Sequence, residues 1–518
     1  MGIHSYDLQI CAVIQEKHSL SLEELSSLSG RSLSSVKRSI AAVNEHLPAQ
    51  HQIILSGSSA LFQMNYKEYL SFIQSLTLED YYPSQAERIN IMSVYAFFNQ
   101  VLNMTHLYET LRFSLTTKKK DSHALSSWLK NQGLSTTVVP KAGIRIVGDE
   151  LLLRICIVNI LSPYLEVDQD FHLTMRLANN PIQSMMTEYF LVKADADLEA
   201  ARDIISRLIR KGQFRISYAS IKFLYLYLGC AHFRAASGHP LTKLPSLPVP
   251  VKDYALTEVP LENTFLNHLI SALDFSTNVM PPINEKLLSI THGLISQVQE
   301  RIITQICSDH LIYEEVYTYL HKCIIRNIYH FSFYDNKLEE TQYHYHNLYD
   351  VIKASTGSYE RNYGIRLSHF QIATLTLIFR KFVNKNKLAG RNQKRLVIVT
   401  NSSIEKIGFF MEKLKFRVDA KLVSVIHINE LYLLKEMEYD CLIVFSNRIA
   451  SMLEERGYSC LKLNFYLTNE DFSHLDSLGF STSRRKLKAS ALARELQHMS
   501  PEEMEAYLLA HYSDYFLE

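Results

Sequence analysis

The chain of 518 residues has no surplus of either charge, with 54 Lys/Arg against 53 Asp/Glu. That is the balance of an ordinary globular protein and excludes an acidic or basic disordered chain. Its seven cysteines, Cys11, Cys156, Cys230, Cys307, Cys323, Cys441 and Cys460, are scattered and form no CxxC pair. A disulfide scaffold and a zinc cluster are therefore not expected, and the thiols read as small buried hydrophobes. No apolar run approaches the roughly 18–20 residues that crossing a bilayer requires. The opening MGIHSYDLQI lacks the basic-then-apolar order of a secretion signal, so a cytoplasmic address without membrane insertion is expected. The chain also lacks a P-loop, a Ser-His-Asp order and a metal-ligand spacing, which points away from an enzyme and from any cofactor or metal. Within residues 1–150, 13 Lys/Arg face 13 Asp/Glu, so any affinity for nucleic acid must come from local clusters.

What is present begins with LSLEELSSLSGRSLSSVKRSIAAVNEHL, Leu20 to Leu47. Two bursts of helical apolar spacing are separated by Gly30-Arg31-Ser32, the pattern of a helix-turn-helix. Leu22, Leu25 and Leu28 share one face, Gly30 supplies a positive φ for the turn, and Ser32 or Ser34 can cap the next helix. The second helix is expected to bury Leu33, Val36, Ile40 and Val43. Arg31 and Ser32 then lie at its start, and Ser34, Ser35, Lys37, Arg38 and Ser39 form an outer face, as a recognition helix needs. QIILSGSSALF, Gln52 to Phe62, reads as a two-stranded wing. The bland alternative is a structural αα-hairpin.

A second copy of this plan follows, with helices over Arg88–Phe98 and Leu107–Phe113, then KKKDSHALSSWLKNQG burying Leu125, Trp128 and Leu129. Thr117, Lys118, Lys119 and Lys120 are placed at that helix's N-terminal end, where dipole and side-chain charge both favour a phosphate. A solvated charge run is the competing reading. Thr136 to Val147 closes the unit as a hairpin turning at Lys141-Ala142-Gly143.

Residues 150–390 are helical by period. YLGCAHFR from Tyr227 and YLHKCIIR from Tyr319 share Tyr, Leu and Arg and stand 92 residues apart, which suggests two related bundles meeting near Val279–Ile283. The proline-rich piece from Pro240 to Pro250 is a loop within the first. Beyond Arg391, RLVIVT, KLVSVI, CLIVFS and CLKLNF alternate with helical segments, the signature of a small parallel α/β domain. Ligands of such sheets sit beyond the strand C-termini, here at Asn401-Ser402-Ser403.

This order of modules resembles the transcriptional regulators built on phosphotransferase regulation domains (PRDs), of the Mga, AtxA and LicR (BglG-like) types. The helix-turn-helix segment, GIRIVGDELLLR (Gly143 to Arg154), YLHKCIIRN and YHNLYDVIK (Tyr345 to Lys353) carry the resemblance. It implies a mainly α, multidomain chain. Winged helix-turn-helix units occupy 1–70 and 85–150, helical regulation domains 151–282 and 283–390, an α/β domain resembling enzyme IIB 394–482, and a helical tail 483–518. Its implied role is a DNA-binding regulator of a carbohydrate-uptake or virulence regulon. The implied partners are promoter DNA, a second copy of the chain and phosphotransferase-system proteins. The alternative is an RNA-binding antiterminator, which the helix-turn-helix and wing disfavour. In the family's pattern a phosphorylatable histidine stands seven residues before the arginine, where this chain has Tyr227 and Tyr319, and the later histidine falls at Ile378. The first strand of the α/β domain ends in Thr400-Asn401-Ser402 without the phosphocysteine, so that domain is expected to bind or dimerise only. Substitute regulatory histidines are His232 and His321, inside the repeats, then His239, His344, His346 and His369.

Overall fold

The computed structural model describes residues 2–168, 170–175, 179–212, 215–276, 279–302, 310–333, 338, 340–384, 387–388, 394–478, 480, 484–485, 492–493, 496–497 and 499–512. They are mostly helical, with small sheets.

Strand β1 (Ile3–His4) and helix α1 (Ser5–Lys17) lead into β2 (Ser19–Ser21), α2 (Leu22–Ser29), α3 (Leu33–Asn44), β3 (Ile54–Ser56) and β4 (Ser59–Leu61). A capping box starts α2: Glu24 N donates to Ser21 Oγ at 3.1 Å while Ser21 N donates to Glu24 Oε2 at 3.0 Å. Gly30, at φ +62°, ends it, and Ser32 caps α3 by accepting from Ser35 N at 3.3 Å. The three strands form an antiparallel sheet in the order β2-β4-β3. Helix α4 (Tyr66–Ser75) follows, and β5 (Tyr81–Tyr82) pairs in parallel with β1, stitching the chain's start to what comes next.

That next part is α5 (Gln85–Asn99), α6 (Met104–Thr110), α7 (Leu115–Asn131) and an antiparallel hairpin of β6 (Leu134–Val139) and β7 (Gly143–Gly148). The helix expected at Leu107–Phe113 is shifted toward the N-terminus. Asn103 Oδ1 caps it by accepting from Thr105 N and His106 N at 3.1 Å, and Arg112 at φ +56° cannot continue it. At Gly143 a Cβ would lie 2.0 Å from Leu102 O, so only glycine fits there.

The first bundle contains α8 (Glu150–Leu161), the short antiparallel pair β8 (Glu166–Val167) and β9 (Leu173–Thr174), α9 (Pro181–Gly212), α10 (Tyr218–Ala236) and α11 (Pro260–Ser271). The proline-rich piece is non-helical, as expected. The second contains α12 (Glu285–Arg301), α13 (His310–Ile328), α14 (Thr341–His344), α15 (His346–Ser355), α16 (Gly357–Tyr363) and α17 (His369–Asn384). Helices α10 and α13 each have 19 residues and carry Tyr227 and Tyr319 at the same tenth position, so the sequence repeat is a structural one.

The C-terminal part has β10 (Lys387–Leu388), β11 (Lys394–Val399), α18 (Ile404–Arg417), β12 (Ala420–Ile426), β13 (Cys441–Val444), α19 (Asn447–Glu454), β14 (Leu461–Lys462), α20 (Asn469–Ser477), β15 (Arg484–Arg485), which pairs with β10, and α21 (Pro501–Tyr512). Four of its strands form a parallel sheet in the order β12-β11-β13-β14. Of the run expected over Cys460–Phe465 only Leu461–Lys462 is strand. Much of the expected tail after 483, and Cys307, lie outside the described residues; Met504, Tyr507 and Leu508 of α21 are half-buried.

Buried charge joins elements within the first bundle and joins that bundle to the second. Arg234, at the end of the first repeat motif, donates to Glu150 Oε1 at 2.9 Å and Oε2 at 2.7 Å, where α8 leaves the β6-β7 hairpin. Arg154 donates to Glu150 at 2.9 Å, to Glu262 at 2.6 Å and to His239 O at 2.8 Å. Arg326, the equivalent arginine of the second motif, donates to Asp274 Oδ1 and Ala272 O, both at 2.7 Å, at the end of the first bundle. Lys322 adds a 3.0 Å bond to Asp274 and a 3.5 Å ion pair with Glu405 of α18. Burial pushes the Asp274 carboxyl up, but Arg326, Lys322 and Lys406 outweigh it and hold it below the usual carboxylate range. Arg326 therefore ties the second bundle to the first, whereas Arg234 ties α10 to the start of α8 within the first.

Candidate nucleic-acid interface

Helix α3 packs on α1 and α2 through Val36, Ser39, Ile40 and Val43, a stripe at helical spacing that is all buried. Ser39 thus belongs to the inner face, 1% exposed. The expectation that it joins the DNA-facing set is corrected: it stands three residues after Val36, and the helical period turns it inward. Leu33 and Leu28 are corrected in the opposite sense. Leu33 was expected to be buried and Leu28 to share the apolar face of Leu22 and Leu25, and both are exposed, at 43% and 38%. They sit at the last turn of α2 and the first residue of α3, past the end of the packed face.

The remaining first-unit residues share an exposed surface. Ser32 Oγ lies 3.1 Å from Ser34 Oγ and 3.0 Å from Ser35 Oγ, a hydroxyl cluster over the N-terminus of α3. Arg38 lies back along its own helix, donating to Ser34 O at 3.4 Å and Ser35 Oγ at 3.3 Å. Lys37 is exposed beside it. Arg31 stacks its guanidinium on the Tyr6 ring at 4.1 Å, which holds the turn to α1.

In the second unit Ser114 caps α7, accepting from Thr117 N at 3.2 Å, and Thr117 Oγ1 is 3.0 Å from the same hydroxyl. Because the helix starts at Leu115, the three lysines fall in its second turn. The expected dipole contribution is corrected accordingly, since it fades within the first turn. Lys118 is half-buried and donates to Thr105 Oγ1 of α6 at 3.0 Å, whereas Lys119 and Lys120 are exposed. Thr116, Lys119, Lys120, His123, Ser127 and Lys130 are all exposed and recur at helical spacing. No carboxylate stands among them.

Sequence reasoning passed over the residue that anchors this helix. Asp121 is 0% exposed and accepts from Arg88 Nε at 2.6 Å, Gln85 Nε2 at 3.1 Å and Tyr108 Oη at 2.7 Å. Burial pushes its carboxyl up, and these donors more than compensate, leaving it below the usual range. The signal was there, because Asp121 precedes Leu125 and Leu129 by four and eight residues and shares their buried face.

The proposed regulatory positions lie inside the bundles. Tyr227 is 0% exposed and donates to Glu262 Oε2 at 3.3 Å; Tyr319 is buried against the second bundle's core. Desolvation pushes both phenols well up. His321 is also 0% exposed. Its Nε2 lies 2.9 Å from Pro250 O and therefore carries the proton, its Nδ1 has no partner, and burial pushes its basicity down. The expectation that His321 leads the regulatory histidines is corrected, since neither nitrogen faces solvent. His232 is half-buried on α10, close enough to Asp197 of α9 to lower that carboxyl's raised pKa. His239 supplies its carbonyl to Arg154. His369 Nδ1 is bonded to Tyr349 Oη at 2.8 Å, His344 stacks on Tyr466 at 4.3 Å, and His346 is exposed.

The C-terminal part holds the first unit directly. Asn447 Nδ2 donates to Gln15 O at 3.0 Å and Glu16 O at 3.3 Å, and Lys462 Nζ to Glu16 O at 2.6 Å. These donors satisfy carbonyls in the last turn of α1 that the helix leaves open. Arg448 pairs with Glu166, and Arg215 with Glu430 and, at 2.7 Å, Val425 O, which fastens the same part to the first bundle.

Two family models match the chain: an Mga helix-turn-helix domain over residues 72–161 and a PRD domain over 292–382. The chain carries the domains of a PRD-containing, Mga-type regulator. The Mga helix-turn-helix domain spans α5 to α8 with the Asp121 anchor and the lysine stripe, and the PRD domain spans most of α12 to α17, with Tyr319, His321 and Arg326. Both belong to regulatory and DNA-binding families rather than enzymatic ones. No curated protein matches the chain. Among the described residues no helix is long and apolar enough to cross a membrane, and no group of three or more His, Cys, Asp or Glu could hold a metal ion.

Proposed function

We propose that the chain binds promoter DNA through both amino-terminal units and regulates a carbohydrate-uptake or virulence regulon. The observation that carries this reading is the exposed α7 stripe of Thr116, Lys119, Lys120, His123, Ser127 and Lys130, with its lone carboxylate, Asp121, turned inward and neutralised. Residues 85–150 hold eight Lys/Arg against five Asp/Glu, and residues 1–70 five against six. The second unit therefore supplies most of the phosphate attraction, and the first contributes Arg31, Ser32, Ser34, Ser35, Lys37 and Arg38 over a smaller contact. The β3-β4 and β6-β7 hairpins serve as the wings of these units.

Control enters through the two helical bundles, 151–282 and 283–390. Tyr227 and Tyr319 stand where the family's pattern has phosphorylatable histidines, so a phosphoryl signal from phosphotransferase proteins would fall on a more accessible group such as His232. The parallel domain at 394–482 is the enzyme IIB-like module. Its first strand leads into Thr400, Asn401 and Ser402 and offers no thiolate nucleophile, and it serves as a binding module in a cytoplasmic homodimer.

The test is fluorescence anisotropy of the full chain on labelled duplex from upstream of its own gene, against scrambled duplex and hairpin RNA, across a salt series. The expected result is preferential binding to the upstream duplex, weakened by Arg38→Ala. Equal binding to all three probes at every salt concentration would overturn the reading.

A further inference from the structure

Leu28 and Leu33 are the two large apolar side chains that the structure turns outward at the first unit's inter-helix turn. Serines flank both in the chain, and Gly30 and Arg31 lie between them. Ser32 and Ser34 flank Leu33 in the chain, the hydroxyls of Ser34 and Ser35 lie within 3.1 Å of that of Ser32, and Lys37 and Arg38 follow one turn later. A leucine at the first position of a helix contributes nothing to the cap, and an exposed one loses the gain it would have from burial. In a major groove, however, one base presents an apolar group: thymine, through its C5 methyl. The N-terminal residues of a recognition helix reach base edges there.

We propose that Leu33, with Leu28 at the other end of the same turn, reads thymine by packing against its methyl group. The proposal rests on the reading of the first unit as a DNA-binding head. Charge complementarity fixes the occupant. The cations Lys37 and Arg38 and the open amides of the α3 N-terminus hold a phosphate backbone in place, and the serine hydroxyls let it approach closely. Leu33 is thereby pressed against the groove floor, where one methyl removed from water is worth about fourfold in affinity. Arg38 and Lys37 position the helix, while Leu33 adds a preference that hydrogen bonding does not supply.

The experiment uses the full chain and a duplex enriched by it from a random-sequence pool. Each thymine of that duplex is replaced in turn by deoxyuridine, which keeps every hydrogen-bonding group and removes only the methyl. The expected result is one or two positions at which deoxyuridine weakens wild-type binding about fourfold, and at which Leu33→Ala binds both duplexes equally with an unchanged salt slope. Leu33 is exposed, so Leu33→Ala should leave hydrogen exchange across α1 to α3 unchanged, and Leu28→Ala provides a second variant with a smaller loss. If wild type ignores the methyl at every thymine, or Leu33→Ala keeps the full deoxyuridine penalty, the proposal is wrong while DNA binding stands. A change in sedimentation for Leu33→Ala, with unchanged methyl discrimination, would assign these leucines to contact between copies instead. Enrichment of no duplex at all would remove both this inference and the functional reading beneath it.

Discussion

Asp274→Asn keeps the shape of the side chain but leaves Arg326 and Lys322 facing a neutral amide. Asp274, Lys322 and Arg326 are all at most 6% exposed, and the two cations reach Asp274 Oδ1 at 2.7 Å and 3.0 Å. Breaking a buried pair in this way costs about 3–5 kcal/mol, because an uncompensated charge remains inside. Lys322 retains Glu405 at 3.5 Å, which places the expected cost near the lower end, at about 3 kcal/mol. A chain of several modules does not unfold in one step, so the melting temperature is a poor readout. Hydrogen exchange of the α13 amides and of residues 272–276 reports the joint itself. About 3 kcal/mol corresponds to roughly 150-fold faster exchange there, with the α7 amides unchanged. The pH dependence supplies the sign. The folded carboxyl is held below its ordinary value of 3.8, so its contribution is complete above that value and is lost as pH falls through the depressed one. Wild type should therefore open at the joint on acidification, and Asp274→Asn should show a flatter acid response. A change of less than threefold in α13 exchange at neutral pH would refute the idea that this cluster holds the two bundles together.

Three further outcomes follow from the same geometry. Lys119→Ala and Lys120→Ala should each lower the slope of log affinity against log salt by about one unit on any duplex, whereas Lys118→Ala, whose amine is engaged by Thr105, should lower it less; anisotropy over a salt series reads all three. Asp121→Asn should destabilise the second unit by about 3–5 kcal/mol, seen as accelerated exchange across α5 to α7, and loss of DNA binding should accompany it. Replacing Asn447 by Ala together with Lys462 by Met removes three bonds to the α1 carbonyls. Exchange in the last turn of α1 should then quicken by at least tenfold, at about 1.5 kcal/mol or more for the set, and unchanged exchange would show that the C-terminal part does not hold that helix.

The legible part of the fold was the part fixed by neighbours in sequence. Apolar spacing and Gly30 located α2 and α3, and Ser32, one of the two serines offered, is the cap. β-Branched runs likewise located β11, β12 and β13. The repeat of Tyr, Leu and Arg marked α10 and α13 as equivalent before either was seen. Ser39 and Asp121 could also have been placed, since each sits at helical spacing from residues correctly assigned to the core. Leu28 and Leu33 could not, because their exposure depends on where the partner helix ends rather than on their own period.

Tertiary structure decided everything that depends on distant partners. Arg234 and Arg326 occupy matching positions in their motifs, yet one holds Glu150 of its own bundle and the other Asp274 at the end of the preceding one. His321 looked available in the sequence and is sealed by Pro250 O from a loop 71 residues earlier. Asn447 and Lys462 meet α1 across more than 400 residues, and no local pattern announces such a contact. The sequence alone determined most helices and turns and the presence of an Mga helix-turn-helix domain and a PRD domain, because backbone propensity and hydrophobic period act over a few residues. Which side chains remain free to meet DNA, and which charges become the joints between modules, was set by packing, because burial and ion pairing are properties of surfaces that exist only once the modules have come together.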